Sequence, residues 1–284
     1  MKTQISQPVA QRSPRARTAL VTLLAAASLG ACDDGLGVNG PGNVSVAFST
    51  ADVSTASTTP ASVPAGSPLR QVTLDGTNGT LVLDEVYMIV DEVELDTVDD
   101  DCDDGSDDDG SDDDGISCAD FEVGPRLVAL PLDGAPVTAF EATVAPGRYD
   151  ELEFEIEHLD DDDDDRARNE ALRAEILALI PDWPDKASIY VTGTFQADGA
   201  DPVAFRVFVD AEIEIEMDLS PPLEVGDDGV GDRELVVDVR PDLWFGNGQG
   251  GVIDLTAWDY DDTGRILELE IEIEDGFIEV EFDD

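Results

Sequence analysis

Lysine is nearly missing from this 284-residue chain. Only Lys2 and Lys186 supply it, and arginine raises the basic total to 15 against 67 aspartates and glutamates. The resulting net charge of −52 sets nucleic acid and anionic membrane surfaces aside as partners, because a phosphate backbone needs Lys and Arg to displace its counterions. Cations, basic proteins and water remain. Histidine is scarcer still, with His158 the only one. No serine occupies the strained turn of an activated nucleophile, so the sequence gives a nucleophile–His–Asp triad no support beyond His158 itself. Carboxylate pairs suited to glycoside chemistry are unavoidable at this composition and carry no information. Trp183, Trp244 and Trp258 are too scattered for a sugar platform and are expected in the core. Apolar runs are short as well: the longest, Ala19–Leu29, cannot span a bilayer. Hydrophobic residues nevertheless make up 42% of the chain, enough for a sizeable core.

That apolar run follows a basic start (Lys2, Arg12, Arg15, Arg17) and ends in Leu29-Gly30-Ala31-Cys32, the proportions of a secretory signal. The four residues resemble a bacterial lipobox. The resemblance implies cleavage before Cys32, lipidation of its sulfur, and anchoring to an envelope membrane through acyl chains, with no transmembrane helix. The expected organisation is a signal peptide over 1–31, a Gly/Asp/Asn-rich tether over 32–42, and one domain over 43–284. Acidic insertions are expected at 99–117 and 160–165. Lipidation of Cys32 leaves two of the three cysteines, Cys102 and Cys118. Export to an oxidising compartment makes their disulfide the expected pairing. Closing a loop of that size is worth about 3 kcal/mol in the chain-entropy model.

Alternation then organises the chain. Strands are expected at Val44–Ser49, Val72–Leu74, Thr80–Leu95, Phe121–Leu132, Val137–Val144, Tyr149–Glu157, Ser188–Gln196, Pro202–Phe208, Ala211–Met217, Glu234–Arg240, Leu267–Glu274 and Phe277–Phe282. Asp75-Gly76-Thr77-Asn78-Gly79 reads as a hairpin turn. Three of the strands carry glutamate along one whole face: Glu151–Glu157, Glu212–Glu216 and Leu267–Glu274. One helix is expected over Arg166–Ile180, with a stripe of Leu172, Ile176 and Leu179, closed by Pro181. Asp160–Asp165 would suit its N-terminal dipole. These elements predict an all-β fold, an antiparallel β-sandwich of immunoglobulin-like or prealbumin-like type, with one short helix and an acidic disulfide-closed loop.

The loop carries Asp103, Asp104, Asp107, Asp108, Asp109, Asp112, Asp113 and Asp114. It is no EF-hand. With Gly110 at position 6, Gly105 falls first and Ile116 twelfth; with Gly115 there, Gly110 falls first and Phe121 twelfth. Hard cations such as Ca²⁺ accept many oxygens in loose geometry, so weak binding is expected, against the alternative of a solvated polyanion. Glutamate faces set side by side add repulsion of about 0.2–1 kcal/mol per opposed pair, relieved by salt, bound cations or basic neighbours. His158 is expected to be a pH-sensitive neighbour of carboxylates.

Two stretches, Gly124-Pro-Arg-Leu-Val-Ala-Leu-Pro-Leu-Asp133 and Pro146-Gly-Arg-Tyr-Asp-Glu-Leu-Glu-Phe-Glu-Ile156, resemble motifs of uncharacterised bacterial lipoproteins with a β-sandwich domain of unknown function and an Asp-rich insertion. The resemblance covers residues 44–245 and implies an envelope-anchored β-sandwich, without transferring an activity. The functional expectation is a non-catalytic, exported cell-envelope lipoprotein that binds Ca²⁺ or similar cations weakly through clustered Asp and Glu. The alternative is a binding module for a basic protein or glycan, its acidity serving solubility or a salty habitat. A hydrolase built on His158 is a third class.

Overall fold

The computed structural model describes residues 42–50, 71–97, 123–159, 166–226, 233–269 and 271–283. Within them the alternating stretches become strands: β1 (Gly42–Thr50), β2 (Val72–Gly76), β3 (Gly79–Thr97), β4 (Arg126–Ala129), β5 (Val137–Val144), β6 (Gly147–Ile156), β7 (Ile189–Ala197), β8 (Val203–Asp210), β9 (Ile213–Val225), β10 (Arg233–Val239), β11 (Leu267–Glu268) and β12 (Phe277–Asp283). Helix α1 spans Arg166–Leu179. Three single-turn helices follow it, α2 (Pro241–Trp244), α3 (Tyr260–Thr263) and α4 (Ile271–Glu274), and a 3-10 turn covers Leu255–Trp258.

The strands form two sheets, ordered β12-β10-β1-β5 and β11-β8-β7-β3-β6-β9. Strands β2 and β4 also pair with β3. The long strand β3 is the spine of the larger sheet. Its first half, Gly79–Met88, pairs with β7, and its second half, from Asp91 to Thr97, pairs with β6. Both sheets are mixed, where an antiparallel fold is expected from the sequence: β1 runs parallel to β10, and β11 parallel to β8. Alternation fixes which face of a strand is apolar. It says nothing of direction, and both parallel pairs join segments far apart in the chain.

One apolar core lies under both sheets. Phe48 of β1 meets Phe154 of β6 edge to face at 5.6 Å, and Phe277 of β12 closes on the same ring at 5.3 Å. Val46, Phe140 and Val237 from the small sheet join Leu83, Leu152 and Val207 from the large one. The Pro146-Gly147-x-Tyr149 motif has a mechanical role here. The buried Tyr149 ring turns back over Gly147, and its hydroxyl donates to the Ala145 carbonyl at 2.9 Å, tying the turn between β5 and β6.

Two local expectations change. Leu267–Glu274 does not run as a strand: pairing stops after Glu268, and α4 begins at Ile271. A period of two also contains i, i+4 pairs, so Leu269 and Ile273, both buried, serve a helical turn equally well. On α1 the buried positions are Asn169, Leu172 and Ile176, while Leu179 is 55% exposed. Ile180, just past the helix, takes the inward place and packs with Tyr190 and Phe208. The last forty residues are fastened to the first hairpin. The Asn78 side chain accepts from the Val252 N–H and donates to its carbonyl, and the Thr77 N–H reaches the Gly250 carbonyl.

Candidate functional site

The sheet turns an acidic lattice outward along β3, β6 and β9. Glu151, Glu153 and Glu155 of β6 alternate with the buried Leu152, Phe154 and Ile156, so all three carboxylates face away from the core. The β6–β9 register sets Asp218, Glu216 and Glu214 beside them, and the β3–β6 register sets Asp96, Glu94 and Asp91 on the other side. Nine carboxylates thus form three cross-strand rows of three. A bulge makes the β3 column possible. Pairing shifts between Asp91 and Glu94, and Glu92 takes φ 38°, in the left-handed region. Asp91 and Glu94, three residues apart, therefore fall in one column.

Desolvation and crowding act together on the central column. Partial burial, then a hydrogen bond and the charge of Glu214, then Glu94 and Asp96, push Glu153 from its ordinary 4.5 to about 7. Glu151 and Glu155 are also pushed up, first by desolvation and then by the carboxylates beside them. Two trios, Asp96–Glu151–Glu153 and Glu153–Glu214–Glu216, each bring three carboxylate oxygens within 4.8 Å of one another, a donor set suited to a hard cation completed by water.

A third trio sits at the end of the same strands. His158 follows β6, and its Nδ1 lies 3.1 Å from Glu212 Oε1, with Asp210 alongside. The histidine is therefore a neighbour of carboxylates, Asp210 at the end of β8 and Glu212 just before β9.

Beyond the lattice, an open cleft of about 840 Å³ separates β9 from β12. Each strand ends its sheet, and among the described residues neither has a partner on the side facing the other. Glu214, Glu216 and Asp218 line one wall; Glu274, Asp275 and Glu279 line the other. Ile278, 42% exposed, stands among them at a second bulge, where the pairing of β12 with β10 slips between Asp238 and Val239.

A different arrangement surrounds Arg206 on β8, which the sequence gives no reason to single out. Its guanidinium donates two hydrogen bonds to Asp182 at 2.7 and 2.6 Å and another to Asp261, and its backbone N–H donates to Asp259. It also lies over the rings of Phe208 and Tyr260, 5.4 and 5.6 Å from their centroids. The tryptophans are distributed as packing residues: Trp244 is fully buried, Trp183 packs against Tyr190 and Phe208, and Trp258 lies against the main core.

Cys32, Cys102, Cys118 and the loop aspartates Asp103, Asp104, Asp107, Asp108, Asp109, Asp112, Asp113 and Asp114 all lie outside the described residues, as do the signal segment, most of the tether and Asp160–Asp165. Among the described residues no helix is long and apolar enough to cross a membrane. Comparison with protein-family models, with curated proteins and with solved structures finds no match to this chain.

Proposed function

We propose that the chain is a non-catalytic, exported lipoprotein of a bacterial cell envelope, held by a lipid on Cys32, whose acidic surfaces bind Ca²⁺ or similar hard cations weakly. In this reading the two sheets form a β-sandwich of immunoglobulin-like or prealbumin-like type, and a Cys102–Cys118 disulfide closes the aspartate loop. The lattice of nine carboxylates on β3, β6 and β9 carries the reading. Opposed carboxylates repel, no lysine or arginine stands at any of the nine positions, and a bound cation relieves the repulsion directly. Affinity is expected in the range of about 10⁻⁴–10⁻³ M, as for extracellular sites that water must complete.

Calorimetry of the full chain with CaCl₂, MgCl₂ and NaCl at matched ionic strength tests the cation reading. Saturable Ca²⁺ heat is expected, reduced by Glu153→Gln with Glu216→Gln if the lattice is the site, or by Asn at Asp107–Asp109 and Asp112–Asp114 if the loop is. Divalent and monovalent salts acting alike would refute both. Mass spectrometry of the mature protein checks the anchor, and non-reducing peptide mapping checks the disulfide.

A second reading, a module that binds a basic protein or a glycan, draws support from the cleft between β9 and β12. Its six carboxylates favour the basic protein over a neutral glycan.

A further inference from the structure

We propose that the cleft between β9 and β12 receives an extended segment of another protein with Lys or Arg at every second position, added to the free edge of β9 as a further strand. The proposal rests on the second reading above, a basic partner, and does not depend on the cation reading. An unpartnered strand edge presents backbone N–H and C=O groups that an incoming strand can pair, while pockets and charges beside the edge choose the side chains. On β9 the outward residues Glu214, Glu216 and Asp218 alternate with Ile215, Met217 and Leu219, all buried. A strand laid alongside has the same period of two. Its alternate residues therefore fall opposite the three carboxylates, at the separation of ordinary cross-strand pairs.

The existing lattice already has this geometry, with the wrong sign. Rows that now read acid–acid–acid would gain a cation at the open end. The residues between the basic positions would point the other way, and the Lys and Arg stems have the exposed Ile278 on the facing wall to lie against. The occupant must come from elsewhere. No stretch of this chain carries three basic residues at alternate positions; Arg15 with Arg17 and Arg166 with Arg168 are the nearest approach.

The test uses the full chain and labelled nonapeptides of three designs in 0.15 M NaCl, read by fluorescence anisotropy. The first alternates threonine with four lysines. The second has the same composition with the lysines contiguous. The third is the alternating peptide with alternate backbone nitrogens methylated along one edge, made in both registers. The alternating peptide is expected to bind at least tenfold more tightly than the contiguous one, and methylation in one register is expected to remove that advantage. Replacing Glu214 and Glu216 by Gln and Asp218 by Asn, with folding checked by circular dichroism, is expected to weaken the alternating peptide at least tenfold. Equal binding of the alternating and contiguous peptides would overturn the proposal, leaving only diffuse attraction between polyions. Indifference to methylation in both registers would overturn it too, and both arms use the unsubstituted protein. Ca²⁺ titration without peptide reports on the cation reading separately, so either can fail alone.

Discussion

Around Arg206 two aspartates share one guanidinium and a third takes the adjoining backbone N–H, whereas across β3, β6 and β9 nine carboxylates have one another for neighbours. The residue types are the same and the electrostatic outcomes are opposite. The hydrogen bond from Arg206 holds Asp182 below its ordinary range, and that partner in turn pushes the guanidinium up. In the lattice, desolvation and like charge push Glu151, Glu153 and Glu155 up. Acidity around Arg206 is thus neutralised where it fastens β8 to the turn after α1 and to the segment after the 3-10 turn, while on the outward sheet face carboxylates stand opposite carboxylates. Ion sensitivity should belong to the second region alone, since close paired charges are little affected by screening on the scale of about 10 Å at 0.1 M salt.

The sharpest way to break the comparison is from underneath. The lattice tolerates its own repulsion because the reverse face of β6 is buried, with Phe154 wedged between Phe48 and Phe277. Phe154→Ala is expected to cost about 3–5 kcal/mol in urea unfolding, the range for truncating a buried aromatic. A loss under about 1 kcal/mol would mean that the acidic face stands without the core. Next in size is Arg206→Met, which keeps the stem and removes the charge. Its side chain is 20% exposed but its partners Asp182 and Asp261 are 51% and 67% exposed, so water recovers part of the loss. About 2 kcal/mol is expected, nearly unchanged between low and high salt.

How far the sequence reaches differs between the two regions. Strand periodicity is local, so β5 is legible to the residue, the hairpin of β2 and β3 nearly so, and glutamate faces are visible on β6 and β9. Neighbours are not local. Nothing in residues 147–225 tells that β6 and β9 lie side by side, and the third glutamate-faced stretch is diverted into α4. The β3 column hides for another reason: simple alternation groups Glu92 with Glu94, and only the bulge at Glu92 puts Asp91 there instead. Arg206 is invisible because its partners come from the turn after α1 and from the start of α3, which the fold brings together. A lone arginine between Phe205 and Val207 carries no signal of its own.

Acid should move the two regions in opposite senses. A carboxyl group raised in the fold binds more protons folded than unfolded between its two values, so stability rises as pH falls through that window. For Glu153 the window runs from about 7 down to the ordinary 4.5, and Glu151 and Glu155 shift the same way. Asp182 has the reverse sign. Its contribution is complete above the ordinary 3.8 and is lost as pH falls through the lower folded value. Urea midpoints at low salt are therefore expected to be higher at pH 5 than at pH 8, and to fall again at pH 3. A midpoint that only declines from pH 8 downward would show that the lattice carries no net repulsion.

The smallest expected effect isolates one member of the lattice. Glu153 sits at its centre, with Glu94 and Glu216 directly opposite and a hydrogen bond to Glu214. Glu153→Gln removes the charge and supplies a permanent donor to Glu214, so a gain of about 0.5–1 kcal/mol is expected at pH 8 and low salt. The gain should shrink toward zero near pH 5, where the native carboxyl is already protonated, and also in 1 M NaCl, where its neighbours are screened. Asp198→Asn, in the exposed turn between β7 and β8, is the matched control, expected to stay within about 0.5 kcal/mol at either pH. If the two substitutions behave alike, crowding on the sheet has no cost and the face differs from the rest of the acidic surface only in appearance. If only Glu153→Gln gains, and loses that gain in acid, the repulsion is localised to the rows that β6 shares with β3 and β9.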